Sequence, residues 1–212
     1  MSSSPIAILG AGKIGRNLAQ LLVDAGYSVV LANSRGPETL HDTIAALGPL
    51  ATAVSATEAV AAAELVIEAV PFKVVPNLPS LDQRILVTAA NYYPDRDGTI
   101  DLAGRSQARW VADHHPGAQV VKAFNTIWFQ HLASQGDATR PVEARRALPV
   151  ASDDESALQQ VCALIEALGF APLRVGGLDD HADLIQPGGA LYNRDLTLAE
   201  ARERFAEFSR AR

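Results

Sequence analysis

The chain has 212 residues, 48% of them hydrophobic, with a formal net charge of −6 and a single cysteine, Cys162. That length fills one large core or one core with a small appendage and is too short for two complete domains. The acidic balance, with no basic block, argues against nucleic acid and anionic membrane surfaces as partners. One thiol excludes an internal disulfide or a cysteine-based metal cluster. No apolar run approaches the length of a membrane span, and Met1 to Pro5 leads into a strand without a signal-peptide pattern, so a cytoplasmic protein is expected.

In chain order, the first predicted strand is the apolar run Ile6 to Leu9, followed by G-A-G-K-I-G from Gly10 to Gly15. In this G-x-G-x-x-G spacing the first glycine makes a tight turn, the second admits a pyrophosphate, and the third lets helix pack on strand. Ile14, Leu18, Leu21, Leu22 and Ala25 then form the apolar stripe of a helix, whose N-terminus would face the pyrophosphate. After a second strand, Ser28 to Ala32, an NAD enzyme usually places Asp or Glu against the ribose. This chain has Asn33, Ser34 and Arg35 instead: neutral hydrogen-bonding groups and a guanidinium suited to a 2′-phosphate, which reads as NADP(H).

Alternation continues with a helix over Pro37 to Leu47, a strand near Thr52 to Val54, a helix over Thr57 to Ala63 and a buried-type strand, Leu65 to Val70. A helix over Lys73 to Leu81, interrupted by Pro76, leads to the strand Ile85 to Ala90. Tyr92 to Leu102 reads as a loop. A helix over Arg105 to Asp113 and a strand over Val120 to Phe124 close a six-strand wound sheet. Two further strands, Ala147 to Ala151 and Leu173 to Val175, bracket a helix over Asp154 to Leu168 capped by Ser152 or Asp153, and a last helix spans Leu198 to Phe208. The expected fold is α/β: a Rossmann-type doubly wound, mostly parallel sheet with a small C-terminal α+β extension, divided as residues 1–135 and 136–212. With no large helical domain after the sheet, the pocket for a second substrate must come mainly from loops at the strand ends.

The segments A-N-S-R-G-P-E-T-L (Ala32 to Leu40), A-V-P-F (Ala69 to Phe72), V-K-A-F-N-T-I (Val121 to Ile127) and Q-P-G-G-A-L-Y-N (Gln186 to Asn193), with the glycine loop, resemble the coenzyme F420-dependent NADP oxidoreductases. A related domain in the membrane ferric reductases of animals has a similar K-x-F-N segment and uses NADPH with a flavin. The resemblance implies hydride transfer between NADP(H) and a deazaflavin or flavin-like acceptor. It assigns Gly10, Ala11, Gly12, Lys13, Ile14 and Gly15 to the pyrophosphate, and Asn33, Ser34 and Arg35 to the 2′-phosphate. It further assigns Val70, Pro71 and Phe72 to the ribose and nicotinamide side, places Asn91 at the next strand end as a cofactor-binding residue, and gives Ala123, Phe124, Asn125 and Thr126 to the hydride-transfer pocket. Trp128 and Phe129 depart from the smaller residues expected after Thr126, and either stack on a ring in that pocket or pack in the core.

Such a reaction asks mainly for orientation, and no acid–base pair stands out as catalytic. A carbonyl or imine reductase is the alternative, with Tyr92, Tyr93, Lys122 and His131 as its candidate proton donors. A non-enzymatic NADP(H) sensor is a third reading. The partners expected are a small-molecule acceptor and a second copy of the chain in a homodimer. Adjacent His114 and His115 point about 100° apart, a poor metal pair, and suit a helix C-terminus as cations. Asp179, Asp180, His181 and Asp183 read as a capped helix start rather than a metal site. Cys162, on an apolar helical face, reads as a structural thiol.

Overall fold

The computed structural model describes residues 4–210; Met1 to Ser3, part of the stretch expected to lead into the first strand, lie outside the described residues. Strand β1 (Ile6–Leu9) is buried at every position, as its unbroken apolar run requires for a strand covered on both faces. Helix α1 (Lys13–Asp24) turns Gly15, Leu18, Ala19 and Leu22 onto it. The order continues through β2 (Val29–Ala32), α2 (His41–Leu47), β3 (Ala51–Ala53), α3 (Ala56–Ala62), β4 (Leu65–Glu68) and β5 (Ile85–Thr88). Next come α4 (Pro94–Asp97), α5 (Gln107–His114), β6 (Gln119–Lys122) and α6 (Phe129–Ser134). The chain ends with β7 (Ala147–Ser152), α7 (Glu155–Ala167), β8 (Ala171–Arg174), α8 (Ala182–Ile185) and α9 (Leu198–Arg210).

Among the described residues the eight strands form one sheet in the order β3-β2-β1-β4-β5-β6-β7-β8. β1 to β6 are parallel in the doubly wound 3-2-1-4-5-6 order, and the chain reverses its direction of travel across the sheet between β1 and β4. That switch point opens a crevice at the carboxyl ends of those two strands. Helices cover both faces, with one core layer under α1 and α7 and the other under α3 and α5. β7 runs antiparallel to β6, and the pair is short: Val121 faces Ser152 and Lys122 faces Ala151. Pro149, which has no N–H to give, lies outside that ladder.

Several boundaries differ from the sequence reading. Pro37–Leu40 winds as a 3-10 turn before α2, and Phe72–Asn77 is a 3-10 helix rather than an α-helix, with Pro76 inside it. The expected loop after β5 contains α4, started by Pro94. Helix α7 is capped by Asp154, whose carboxylate accepts from Ala157 N at 2.8 Å. Ser152 Oγ is turned instead toward the Val120 carbonyl at 2.7 Å. Asp179 and Asp180 do not cap α8: Asp179 pairs with Arg109, and Asp180 accepts from Gly177 N at 2.7 Å. His115 is buried and its Nε2 lies 3.0 Å from the Val75 carbonyl. Burial pulls its pKa below the ordinary imidazole value, so it is held neutral rather than as the cation expected at a helix end. Cys162 is half-buried against the core, and burial pushes its thiol pKa up. Among the described residues no helix is long and apolar enough to cross a membrane, and no group of His, Cys, Asp or Glu is placed to hold a metal.

Candidate functional site

The glycine loop is shaped by three different constraints. Gly10 has φ +113°, and a Cβ there would stand 2.5 Å from the Ala69 carbonyl oxygen, so only glycine lets the turn lie against the end of β4. A Cβ on Gly15 would come within 1.8 Å of the Gly10 carbonyl oxygen, which is how α1 closes onto the turn. Gly12 faces open space, with nothing within 4 Å of the place a Cβ would take. It is the N-cap of α1, which has no side-chain cap and no acid in its first turn. The loop thus presents unspent N–H groups and the positive end of a twelve-residue helix to an open cradle, a fit for a pyrophosphate.

Two cavities flank the loop, separated where Val70 approaches Gly10. The smaller, of about 220 Å³, is lined by Leu9, Gly10, Asn33, Ser34 and Val74 among others. At its mouth Asn33 Oδ1 accepts from Arg35 N at 2.9 Å, and its Nδ2 donates to Thr39 Oγ1 at 2.9 Å, fixing the turn that carries Ser34 and Arg35. Both of those residues are exposed. The larger cavity, of about 460 Å³, runs from Gly12, Lys13 and Ile14 past Val70, Pro71 and Asn91 to Phe124, Asn125, Trp128 and Tyr192.

The polar groups of the larger cavity come from distant parts of the chain. Asn91 and Asn125 clasp each other: Asn91 Nδ2 donates to the Asn125 carbonyl at 2.8 Å, and Asn125 Nδ2 donates to Asn91 Oδ1 at 3.1 Å. Asn125 Nδ2 also donates to the Ile185 carbonyl at 2.7 Å, and Asn193 N donates to the Thr126 carbonyl at 3.1 Å. These bonds fasten the segment before α9 to the segment after β6. They also bring Tyr192 to the cavity wall, where its hydroxyl hydrogen-bonds that of Tyr93. Burial, then the Tyr93 hydroxyl, push the Tyr192 pKa well above the ordinary phenol value. The Arg96 guanidinium lies 5.0 Å from the Tyr93 ring centre and donates to the Asn91 carbonyl at 2.6 Å.

Under the floor of the cavity lies a buried charge pair. Glu68 accepts from Thr88 Oγ1 at 2.7 Å and from Val70 N at 3.2 Å, while Lys122 Nζ donates to the Ala90 carbonyl. Burial raises the Glu68 pKa against the Thr88 hydrogen bond and the Lys122 charge. Burial lowers that of Lys122 to about 8 against the Glu68 charge. The pair pins the strand-end segments bearing Val70 and Ala90, both of which line the cavity.

Of the residues the sequence points to, Gly12, Lys13, Ile14, Val70, Pro71, Asn91, Phe124, Asn125 and Trp128 meet around the larger cavity. Gly10, Asn33 and Ser34 meet at the smaller one. Ala11, Gly15 and Arg35 line neither cavity, and three more predicted residues are turned away from both. Phe72 is fully buried and stacks on Trp110 at 4.6 Å, and Ala123 and Thr126 are buried behind the wall. Trp128 is 50% exposed, which removes core packing as its role, whereas Phe129 is partly buried under the Lys13 ammonium, 4.4 Å from its ring centre. Of the proton-donor candidates, Tyr93 faces the cavity. Tyr92 turns its hydroxyl to Gly98 and Ile100, His131 sits edge-on to Trp128, and Lys122 lies beneath the floor. Arg96 and Tyr192 are site residues that the sequence does not single out. Tyr192 lies in the Gln186 to Asn193 segment that carries the resemblance, but nothing local gives it a role, since its contact with Tyr93 spans 99 residues.

Comparison with known proteins places this geometry in context. Residues 5–92 match the family model described as NADP oxidoreductase coenzyme F420-dependent. The hypothetical protein SMa0349 from Sinorhizobium meliloti is 34% identical, and its crystal structure aligns with a TM-score of 0.81 over 92% of this chain and 95% of that one. Metalloreductase STEAP3 of Rattus norvegicus is 33% identical over 177 residues, covering 82% of this chain and 34% of that protein. The chain thus spans about a third of the length of the curated relatives it matches. An imine reductase from Aspergillus terreus, solved with NADPH4, shares the fold at 18% identity, with a TM-score of 0.64 over 100% of this chain and 66% of that one.

Proposed function

From a chain that belongs to one family with SMa0349, and is a Rossmann-fold NADP(H)-dependent oxidoreductase related to the coenzyme F420-dependent enzymes, we propose a reductase of small carbonyl or imine acceptors. The carrying observation is the Tyr93–Tyr192 hydroxyl pair on the wall of the larger cavity. Bound NADPH supplies the hydride. Gly12 and the first turn of α1 hold its pyrophosphate, Asn33, Ser34 and Arg35 hold the 2′-phosphate, and Val70, Pro71 and Asn91 border the nicotinamide side.

Reduction of a polar double bond needs a proton at the heteroatom as carbon gains the hydride. The phenol pair supplies it: Tyr192, its pKa raised by burial and by Tyr93, stays protonated at neutral pH and is available as a donor. The phenolate left behind lies beside Tyr93 and within the field of Arg96, and recovers its proton from solvent. Apolar Val70, Ile127 and Phe124 line part of the rest of the cavity.

A second reading, hydride transfer to a flavin or deazaflavin, is favoured by Trp128. Its half-exposed ring stands at the cavity edge, with its centre 5.5 Å from that of Phe129, as a platform for a flat acceptor. NADPH oxidation by purified protein, with a panel of carbonyls and imines beside coenzyme F420, FMN and FAD, separates the two. Saturable turnover of a carbonyl or imine that collapses in Tyr192→Phe supports the first reading. Turnover confined to F420 or a flavin, lost in Trp128→Ala and kept in Tyr192→Phe, overturns it in favour of the second.

A further inference from the structure

Asn125, on the wall of the larger cavity, carries an orphaned buried atom. The residue is 3% exposed and lines the cavity, yet its Oδ1 has no hydrogen-bond partner. The amide cannot be turned to cure this. Both of its N–H bonds are spent, one on Asn91 Oδ1 and one on the Ile185 carbonyl, and the orientation of Asn91 is itself set by its donation to the Asn125 carbonyl. Swapping N for O would place one acceptor against two others. A buried acceptor left unpaired is costly, so a fold that locks one in place has a use for it.

The backbone beside it points the same way. Phe124 has φ +59°, a left-handed conformation uncommon for a bulky residue, and is fully buried. Strain of this kind persists where surrounding structure imposes it, and here it aims the next residue, Asn125, at the cavity.

Resting on the NADP(H) reading of this cavity, we infer that Asn125 reads the carboxamide of the nicotinamide ring, its Oδ1 accepting one carboxamide N–H. The group required is a planar donor at the edge of a flat ring, in a cavity whose wall also includes the apolar Ala89, Ala90 and Val70. Asn91, which clasps Asn125, is then a positioning residue for that reader.

The test is binding, followed by quenching of protein fluorescence, with three cofactor forms: NADP⁺, its thionicotinamide analogue and its 3-acetylpyridine analogue. The thioamide keeps the N–H donors and the acetyl group has none. The expected result is a Kd for the acetylpyridine analogue at least about tenfold above that of NADP⁺, the thionicotinamide form staying within about threefold. In Asn125→Ala that discrimination should shrink to about twofold or less. Acetylpyridine binding within twofold of NADP⁺ in the wild-type protein overturns the inference without recourse to any variant. So does full discrimination in an Asn125→Ala protein that melts cooperatively. Failure of all three forms to bind removes the NADP(H) reading and the inference together, whereas tight, undiscriminating binding removes the inference alone.

Discussion

The hydroxyls of Tyr93 and Tyr192, 99 residues apart in sequence, hydrogen-bond to each other on the wall of the cavity beside the glycine loop. Tyr192→Phe keeps the ring and removes the proton. If the pair is the donor, kcat should fall by about 10² or more while the Kd for NADPH is unchanged. Because Tyr192 is held above the ordinary phenol value of 10.0, its acid form persists as pH rises through that value. Activity should therefore show no loss from Tyr192 ionisation between neutral pH and about pH 10. A profile that falls with an apparent pKa near 9 would point to a different donor.

Gly12 and Gly15 should separate binding from folding. In a helix Gly→Ala ordinarily stabilises by about 1 kcal/mol. At Gly15 the new methyl would lie 1.8 Å from the Gly10 carbonyl oxygen, so the sign should reverse and the melting temperature should drop by several degrees. Gly12→Ala meets no protein atom, and its stability should stay within about 0.5 kcal/mol of wild type. On the proposed cofactor placement the same methyl would occupy pyrophosphate space, so NADPH affinity should fall about tenfold or more. Thermal melts and NADPH fluorescence titrations on both variants read the two effects.

Arg35→Asp replaces a cation with an anion where a 2′-phosphate would sit. Loss of a charge-assisted hydrogen bond costs about 1.5–3 kcal/mol, or roughly 10- to 150-fold in Kd. The loss should fall on NADPH and spare NADH, which lacks that phosphate. Equal losses for both cofactors, measured side by side, would show that the Asn33–Arg35 turn is not the discriminating site.

The buried Lys122 sets a pH dependence of stability. Its pKa drops from 10.5 in the unfolded chain to about 8 in the fold, so between those values the unfolded state holds a proton that the folded state does not. Stability from this group therefore rises with pH across that window, and the full cost of burying the charge is felt below pH 8. Denaturant melts of wild type and Lys122→Met should show wild type gaining on the variant from pH 8 to about 10.5. Parallel curves would mean that folding leaves the Lys122 pKa where it stands in the unfolded chain.

The parts of the fold legible in the sequence are those whose causes are local. The glycine spacing, the apolar runs of β1 and β4 and the stripe of α1 each lie within one short segment, and each falls within a few residues of its expected place. The direction of β7 is not legible, because an apolar strand reads alike whichever way it runs. Ser152 and Asp153 are the caps the sequence offers, and the role falls instead to Asp154, with Ser152 engaged by Val120 on the neighbouring strand. At the site, A-V-P-F carries Val70 and Pro71 to the cavity, but Phe72 turns under the surface to stack on Trp110, a partner far along the chain. Arg96 and Tyr192 are hidden in the sequence for the same reason: their roles exist only once distant segments meet.

The reversal at β7 decides how the two walls of the larger cavity are encoded. After β8 the chain climbs along α5, held by Ser106 on the Leu178 carbonyl at 2.7 Å and by Gln186 on Gln107 N at 3.0 Å, before it reaches Asn125 and Tyr93. The wall next to the glycine loop is thus written in the first half of the sequence, whereas the facing wall combines Tyr93, Arg96 and the segment after β6 with Tyr192 and Asn193 from a strap near the end. Substitutions between Gln186 and Asn193 can redraw what the cavity admits while the dinucleotide cradle stays as it is. If the proposed site is right, acceptor choice and cofactor choice are in that sense separately heritable, and a chimera exchanging the strap between relatives of this chain should move one without the other.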